Sequence, residues 1–284
     1  MPDTRAAPFL ERILEVTYTV PDLDLIESTY TRWLGYRVTE RGTISESTAR
    51  GWEAPALVGR RQLALEPAHG ESVVLRFVAE PLAAGWQALK TFGWNVSEIV
   101  VEDVDALAAR LADSPFRIIG APASLARFPM IRAMQVVGPA GECLYFTQVG
   151  AGSGLELARA QAPVGRVFIV VAAGPDVHRL FDMYAAFGNE VDTPVSTCVQ
   201  VISRANDLPA DTLHAHGLVK LGNGSLIELD EYPAVATSRI VPSGGLPVGM
   251  ALVEFETRGM QGSVLLRGAA NECIRLVGTN LEDQ

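Results

Sequence analysis

Apolar and polar positions along the chain fall into short runs that repeat in one order. Residues 13–20 alternate as a strand does. Pro21-Asp22-Leu23-Asp24 then stops the strand and starts a helix, with Asp22 or Asp24 as its cap. That helix is predicted to run to about Trp33, with Gly35 where a C-terminal cap belongs. Strands follow at residues 36–41, 61–66 and 72–78, which makes one β-α-β-β-β module. The order recurs: a strand over 95–101, the stop Glu102-Asp103-Val104-Asp105, a helix over 106–111, and strands over 117–119, 133–137 and 143–149. A third copy has a strand over 166–172, the stop Gly174-Pro175-Asp176-Val177, a helix to Phe187 and strands over 195–204, 212–221 and 225–231. The last copy, residues 249–257, 263–267 and 273–277, is too short for a helix and reads β-β-β.

Four such modules predict an α+β protein: tandem βαβββ modules forming two cupped, antiparallel-rich mixed sheets with outer helices. Residues 151–162 contain Gly-Ser-Gly and read as a short helix or linker. The expected division is therefore 1–150 for one module pair, 151–164 for the linker and 165–284 for the other pair, its last module truncated. Each sequence-adjacent pair is expected to close one cup.

Composition narrows the function. The chain has 284 residues, 48% of them hydrophobic and 20% charged, enough apolar surface for a sizeable core. A net charge of −10 argues against nucleic-acid binding. The longest apolar runs, such as residues 167–173, are too short to cross a bilayer. The start lacks signal-peptide features, so a cytoplasmic protein is expected. Cys143, Cys198 and Cys273 lie in apolar contexts with no CxxC pair and read as buried free thiols. A homodimer stays open.

The stops Val20-Pro21-Asp22-Leu23-Asp24 and Val101-Glu102-Asp103-Val104-Asp105, with residues 141–146 and 225–230, resemble the strand-end signatures of the vicinal oxygen chelate superfamily. That group includes glyoxalase I, bleomycin- and fosfomycin-resistance proteins, methylmalonyl-CoA epimerase and the extradiol dioxygenases, and the four-module length looks most like the last. The resemblance implies metal ligands early in a module's first strand and within its last strand. Here those positions are Glu15, Arg76, Val96 (or Asn95) and Tyr145 in the first cup. In the second they are Phe168 or Ile169, Glu228, Gly249 or Met250, and Arg275. Each cup then holds a carboxylate, an arginine and no histidine, so no metal is expected at the usual positions. Glu15 and Arg76 are expected to pair, with Tyr145 and Asn95 as further polar groups toward a ligand.

The chemistry-bearing stretch is the predicted hairpin of residues 212–231. His214 and His216 alternate onto one face, and Glu228 and Asp230 repeat that spacing on the partner strand. A two-residue Asn223-Gly224 turn would pair Val219 with Glu228. A three-residue Gly222-Asn223-Gly224 loop pairs His216 with Asp230 and separates apolar from polar residues cleanly, so it is preferred. Three readings of that face stay open. It is a solvated hairpin, or an acid/base site, or a displaced metal site on His214, His216 and Glu228 or Asp230.

The expected function is a small-molecule enzyme of proton transfer, a lyase or isomerase acting on an aromatic or carboxylate-bearing metabolite. Glu228 and His216 would be catalytic, with Arg275 in the same cup holding a developing oxyanion. No cofactor is required, though a divalent metal stays open. The alternatives are a metal-dependent dioxygenase or glyoxalase-like enzyme with rearranged ligands, and a non-catalytic small-molecule binder.

Overall fold

The computed structural model describes residues 9–82, 86–153 and 156–278. The first module is β1 (Phe9–Val20), α1 (Leu23–Thr29) with a π-helical turn over Tyr30–Leu34, β2 (Arg37–Thr43), α2 (Glu46–Gly51), β3 (Arg61–Glu66) and β4 (Val74–Ala79). The second is β5 (Gly93–Val101), α3 (Val104–Leu111), β6 (Arg117–Ser124), β7 (Ile131–Val137) and β8 (Cys143–Val149). The third is β9 (Val164–Gly174), α4 (Val177–Ala185), β10 (Val195–Cys198), α5 (Gln200–Ala205), β11 (Leu213–Lys220) and β12 (Leu226–Glu231). The fourth is β13 (Gly249–Arg258), β14 (Ser263–Arg267) and β15 (Cys273–Gly278).

The repeated aspartate is a helix cap in each full module. Asp22 accepts from the backbone N–H of Asp24 and Leu25, Asp103 from Ala106, and Asp176 from His178 and Arg179. Gly35 and Gly188 take the left-handed backbone (φ 72° and 79°) that closes α1 and α4. The described residues of the 151–164 stretch form no helix.

Modules adjacent in sequence do not share a sheet. The seven-stranded sheet runs β14-β15-β13-β1-β4-β3-β2, joining the first module to the fourth. The eight-stranded sheet runs β10-β11-β12-β9-β5-β8-β7-β6, joining the second to the third. The joints are antiparallel pairs of first strands, β1 with β13 and β5 with β9. The expected cup membership is corrected accordingly.

Between the sheets lies one apolar core built on Tyr18, Tyr30, Phe77, Trp94, Tyr184 and Phe255, against which α1, α3 and α4 pack. Hydrogen bonds cross it. The Tyr18 and Ser97 hydroxyls meet at 2.5 Å, Tyr30 donates to Glu142 at 2.8 Å, and Tyr184 donates to Glu272 at 3.1 Å. The opposite faces are the cups, and each is covered by a short helix the sequence reading did not anticipate. Ala49 and Trp52, in and just after α2, pack over the seven-stranded cup. Val201 and Ile202 of α5 pack over the eight-stranded one, against Val96, Cys143, Val171 and Ala173. The strand expected over 195–204 therefore stops at Cys198. Cys143 and Cys273 are buried, whereas Cys198 is exposed, contrary to expectation.

Candidate functional site

The seven-stranded cup is filled by two ion pairs side by side. Arg76 donates from Nε to Glu15 Oε1 (2.7 Å) and from Nη2 to Oε2 (2.9 Å), and from Nη1 to Glu40 and Gln62. Arg275 donates from Nη1 to both oxygens of Glu254 (2.8 and 2.7 Å). Trp52 Nε1 donates to Glu254 as well. Glu15 and Glu254 face each other across the β1–β13 pair. Burial, opposed by the Arg76 hydrogen bonds, still holds the Glu15 carboxyl above its usual range. Arg275 is thus in this cup, not beside Glu228, because β15 pairs with β13 and β13 with β1. Glu254, one of two glutamates in the largely apolar β13, is its true partner and was missed. Neither Tyr145 nor Asn95 belongs here. Tyr145 is on β8 in the other sheet. Asn95 is buried in a local staple, donating to the Thr91 and Gly93 carbonyls and accepting from Leu89 N–H.

The eight-stranded cup gathers acidic groups without cations. The β11–β12 hairpin has the three-residue loop: Leu221 N–H bonds Ser225, and Asn223 and Gly224 take positive φ. Its register sets His216 opposite Asp230 and Leu218 opposite Glu228. His216 Nδ1 lies 3.6 Å from Glu228 Oε1, and its Nε2 is 3.0 Å from the Thr197 hydroxyl. His214, on the same strand face, instead meets Ser203 of α5 at 2.9 Å through Nε2. Glu98 of β5, not singled out from sequence, takes a hydrogen bond from Thr147 of β8. Glu98 pairs in register with Tyr145 and with Ile169, and the neighbouring pair on that face, Val171 and Glu228, brings β12 alongside.

The electrostatics follow from burial. Asp230 is 5% exposed and Glu98 8%. Burial first, then the Glu228 charge, pushes Glu98 up to about 8, against the Thr147 hydrogen bond. Burial, the Glu228 charge and a hydrogen bond shared with Glu228 hold Asp230 well above the usual carboxylate range, and Glu98 adds to the shift. His216 is raised by its interaction with Glu228, against burial. His214 is lowered by burial. Among the described residues no Arg or Lys lies within ion-pair distance of Glu98, Glu228 or Asp230.

No family model and no curated protein matches the sequence. Solved structures do match in shape. Glyoxalase I from Zea mays superposes with a TM-score of 0.60 at 15% identity, over 94% of this chain and 92% of that one. A putative dioxygenase from Bacillus subtilis superposes with a TM-score of 0.61 at 12% identity, over 96% and 86%. The fold is that of the vicinal oxygen chelate superfamily.

A metal held in the usual strand positions of this fold does not fit the residues present. In the seven-stranded cup both carboxylates are already held by arginines, which repel a cation. In the eight-stranded cup the corresponding positions are Val96, Tyr145, Ile169 and Glu228, a single carboxylate. The polar group of that cup has shifted onto the β11–β12 hairpin.

Proposed function

We propose that the chain is an enzyme of proton transfer, of lyase or isomerase type, acting on an aromatic or carboxylate-bearing small molecule in the eight-stranded cup. The observation that carries the reading is the convergence of Glu98, Glu228, Asp230 and His216 in an apolar cup without a cationic side chain in ion-pair reach. Burial and the Glu228 charge favour the protonated form of Glu98, pushed up to about 8, and of Asp230. Glu228 is the base, with the His216 imidazole 3.6 Å from its Oε1 as the relay partner. His216 links Glu228 to the exposed Thr197 hydroxyl and gives the proton a path between cup and solvent. Tyr232, two residues beyond Asp230, has a buried hydroxyl without a partner and takes the role first given to Arg275, donating to the oxyanion. The apolar walls, including Val96, Val171 and the Tyr145 ring, suit a flat organic ligand.

The test begins with thermal-shift screening of aromatic and aliphatic carboxylic acids, followed by turnover assays on those that bind. Glu228→Gln keeps the shape and removes the base. It is expected to abolish turnover and to leave ligand affinity within about tenfold, about 1.4 kcal/mol. Undiminished turnover in that variant ends the assignment of Glu228.

A further inference from the structure

We propose that a polar cavity outside the acidic group of the eight-stranded cup, floored by Arg166 and edged by Arg159, binds a tetrahedral oxyanion, either free phosphate or the phosphate group of a small metabolite. The inference is independent of the proton-transfer reading. The cavity, about 290 Å³, lies where four segments meet: the β3–β4 loop with His69 and Glu71, the stretch before β9 with Arg159 and Gln161, the start of β9 with Arg166, and the β11–β12 turn with Asn223. At roughly 30 Å³ per water it has room for about ten waters, or for a small phosphate ester. Leu157, Ala158 and Ala160 pack on Val100 and Leu226 beside it. Val100 follows Glu98 by two positions on β5, and Leu226 precedes Glu228 by two on β12. An apolar layer therefore separates the cavity from the acidic group.

The floor is built. Arg166 is 5% exposed. Its Nη1 donates to the Val167 carbonyl and the Ser225 hydroxyl (3.0 and 2.8 Å), its Nη2 to the Asn223 carbonyl (2.7 Å), and its Nε faces Glu71 at 3.0 Å. These contacts fix the guanidinium plane and leave the second Nη2 hydrogen for a ligand. Glu71 is more than half exposed, so water screens its charge. Arg159, at the exposed rim, donates to the Val149 carbonyl at 3.5 Å, and among the described residues no carboxylate pairs with it. Two guanidinium groups thus line the cavity against one carboxylate, in a chain whose net charge is −10. Gln161 accepts the Glu71 N–H through Oε1, which leaves its amide nitrogen as a donor. The walls are held by close backbone contact. Ala158 N–H bonds the Gly224 carbonyl at 3.0 Å, and a Cβ on Gly224 would meet Ala158 N at 2.4 Å. Donors reaching in from several segments suit the four oxygens of a tetrahedral anion better than a planar carboxylate, and guanidinium groups match phosphate oxygens in pairs.

The experiment titrates the full chain, in a chloride buffer free of phosphate and sulfate, with inorganic phosphate and separately with glycerol 3-phosphate. Calorimetry gives stoichiometry and affinity. One equivalent is expected to bind. Arg159→Gln, at the rim, is expected to weaken binding at least tenfold. Glu71→Gln, which removes the competing carboxylate, is expected to strengthen it. Arg110→Gln, on α3, is expected to leave it unchanged, and thermal melting confirms that each variant is folded. Tighter binding of glycerol 3-phosphate assigns the phosphate group of a metabolite. Equal or tighter binding of inorganic phosphate assigns the free ion. No saturable binding of either probe overturns the proposal. So does binding undiminished in Arg159→Gln, weakened in Glu71→Gln, or lost equally in Arg110→Gln.

Discussion

Glu142 sits in the turn before β8, 2% exposed, where the Tyr30 hydroxyl and the Ala140 N–H donate to its carboxyl. Glu272 repeats the arrangement before β15, with Tyr184 and Ala270 as donors. Burial pushes Glu142 up from 4.5 to about 7, against these hydrogen bonds. The folded protein therefore holds a proton there that the unfolded chain has lost between those two values. That stabilisation is complete below about pH 4.5 and is lost as pH rises through about 7. Glu142→Gln stays neutral, so the variant should gain on the wild type by roughly 2–3 kcal/mol between pH 4.5 and 8.5. Urea midpoints at several pH values check this, and parallel stability curves for the two proteins would refute it. At this scale legibility depended on context. His216, Glu228 and Asp230 could be found because alternation in a half-buried hairpin marks a face. Glu98 could not, because every residue of β5 is buried and no alternation shows which side is the cup. Arg275 stood out as an arginine in an apolar strand, but nothing in its own sequence says which module its strand joins.

The hairpin register was legible because only one loop length separates apolar from polar positions, and β11 and β12 adopt it. Gly217 supports that placement from the opposite face, since a Cβ there would meet the Phe181 ring of α4 at 2.4 Å. The stretch after β10 misled for a related reason. Val195-Ser196-Thr197-Cys198-Val199 has strand composition, and a six-residue helix such as α5 has little stability of its own. It forms because Val201 and Ile202 find an apolar seat in the cup, while Arg204 bonds the Ile119 carbonyl and Asn206 the Leu89 carbonyl. Seated so, α5 covers Cys143. Val201→Asp places an unpaired carboxylate in that seat, and displacing the helix costs less than burying the charge. In a Cys198→Ser background, Val201→Asp should make Cys143 react with N-ethylmaleimide while Cys273 in the other cup stays protected. Mass spectrometry counts and locates the adducts. An unlabelled Cys143, or equal labelling of Cys143 and Cys273, would show that α5 is not a separable cover.

The repeats predict the number of modules, and most strands fall close to where the punctuation puts them. How the modules pair is a property of the whole molecule. Each first strand carries an edge that needs a partner, and a β-α-β-β-β pattern reads the same whether that partner comes from the next module or from one further along. The outcome, first with fourth and second with third, makes each half of the chain dependent on the other. A fragment ending at residue 153 would keep β1–β4 and β5–β8 but lose β13 from the free edge of β1 and β9 from that of β5. It would keep the Tyr30–Glu142 and Tyr18–Ser97 bonds, which hold the two modules face to face. The division at residues 151–164 is thus proposed as a covalent hinge between halves that assemble together, not as a border between halves that fold alone. Exposed apolar strand edges seek another chain, so the fragment should sediment as a dimer or larger species and lack cooperative unfolding as a monomer. Adding residues 156–284 as a second chain should restore a 1:1 complex, because that half carries the two missing first strands. Sedimentation velocity on the fragment alone and on the mixture decides it. A monomeric fragment with a sharp, concentration-independent melting transition would mean that the β1–β13 and β5–β9 joints contribute little, and that each half owes its stability to the core beneath its own helices.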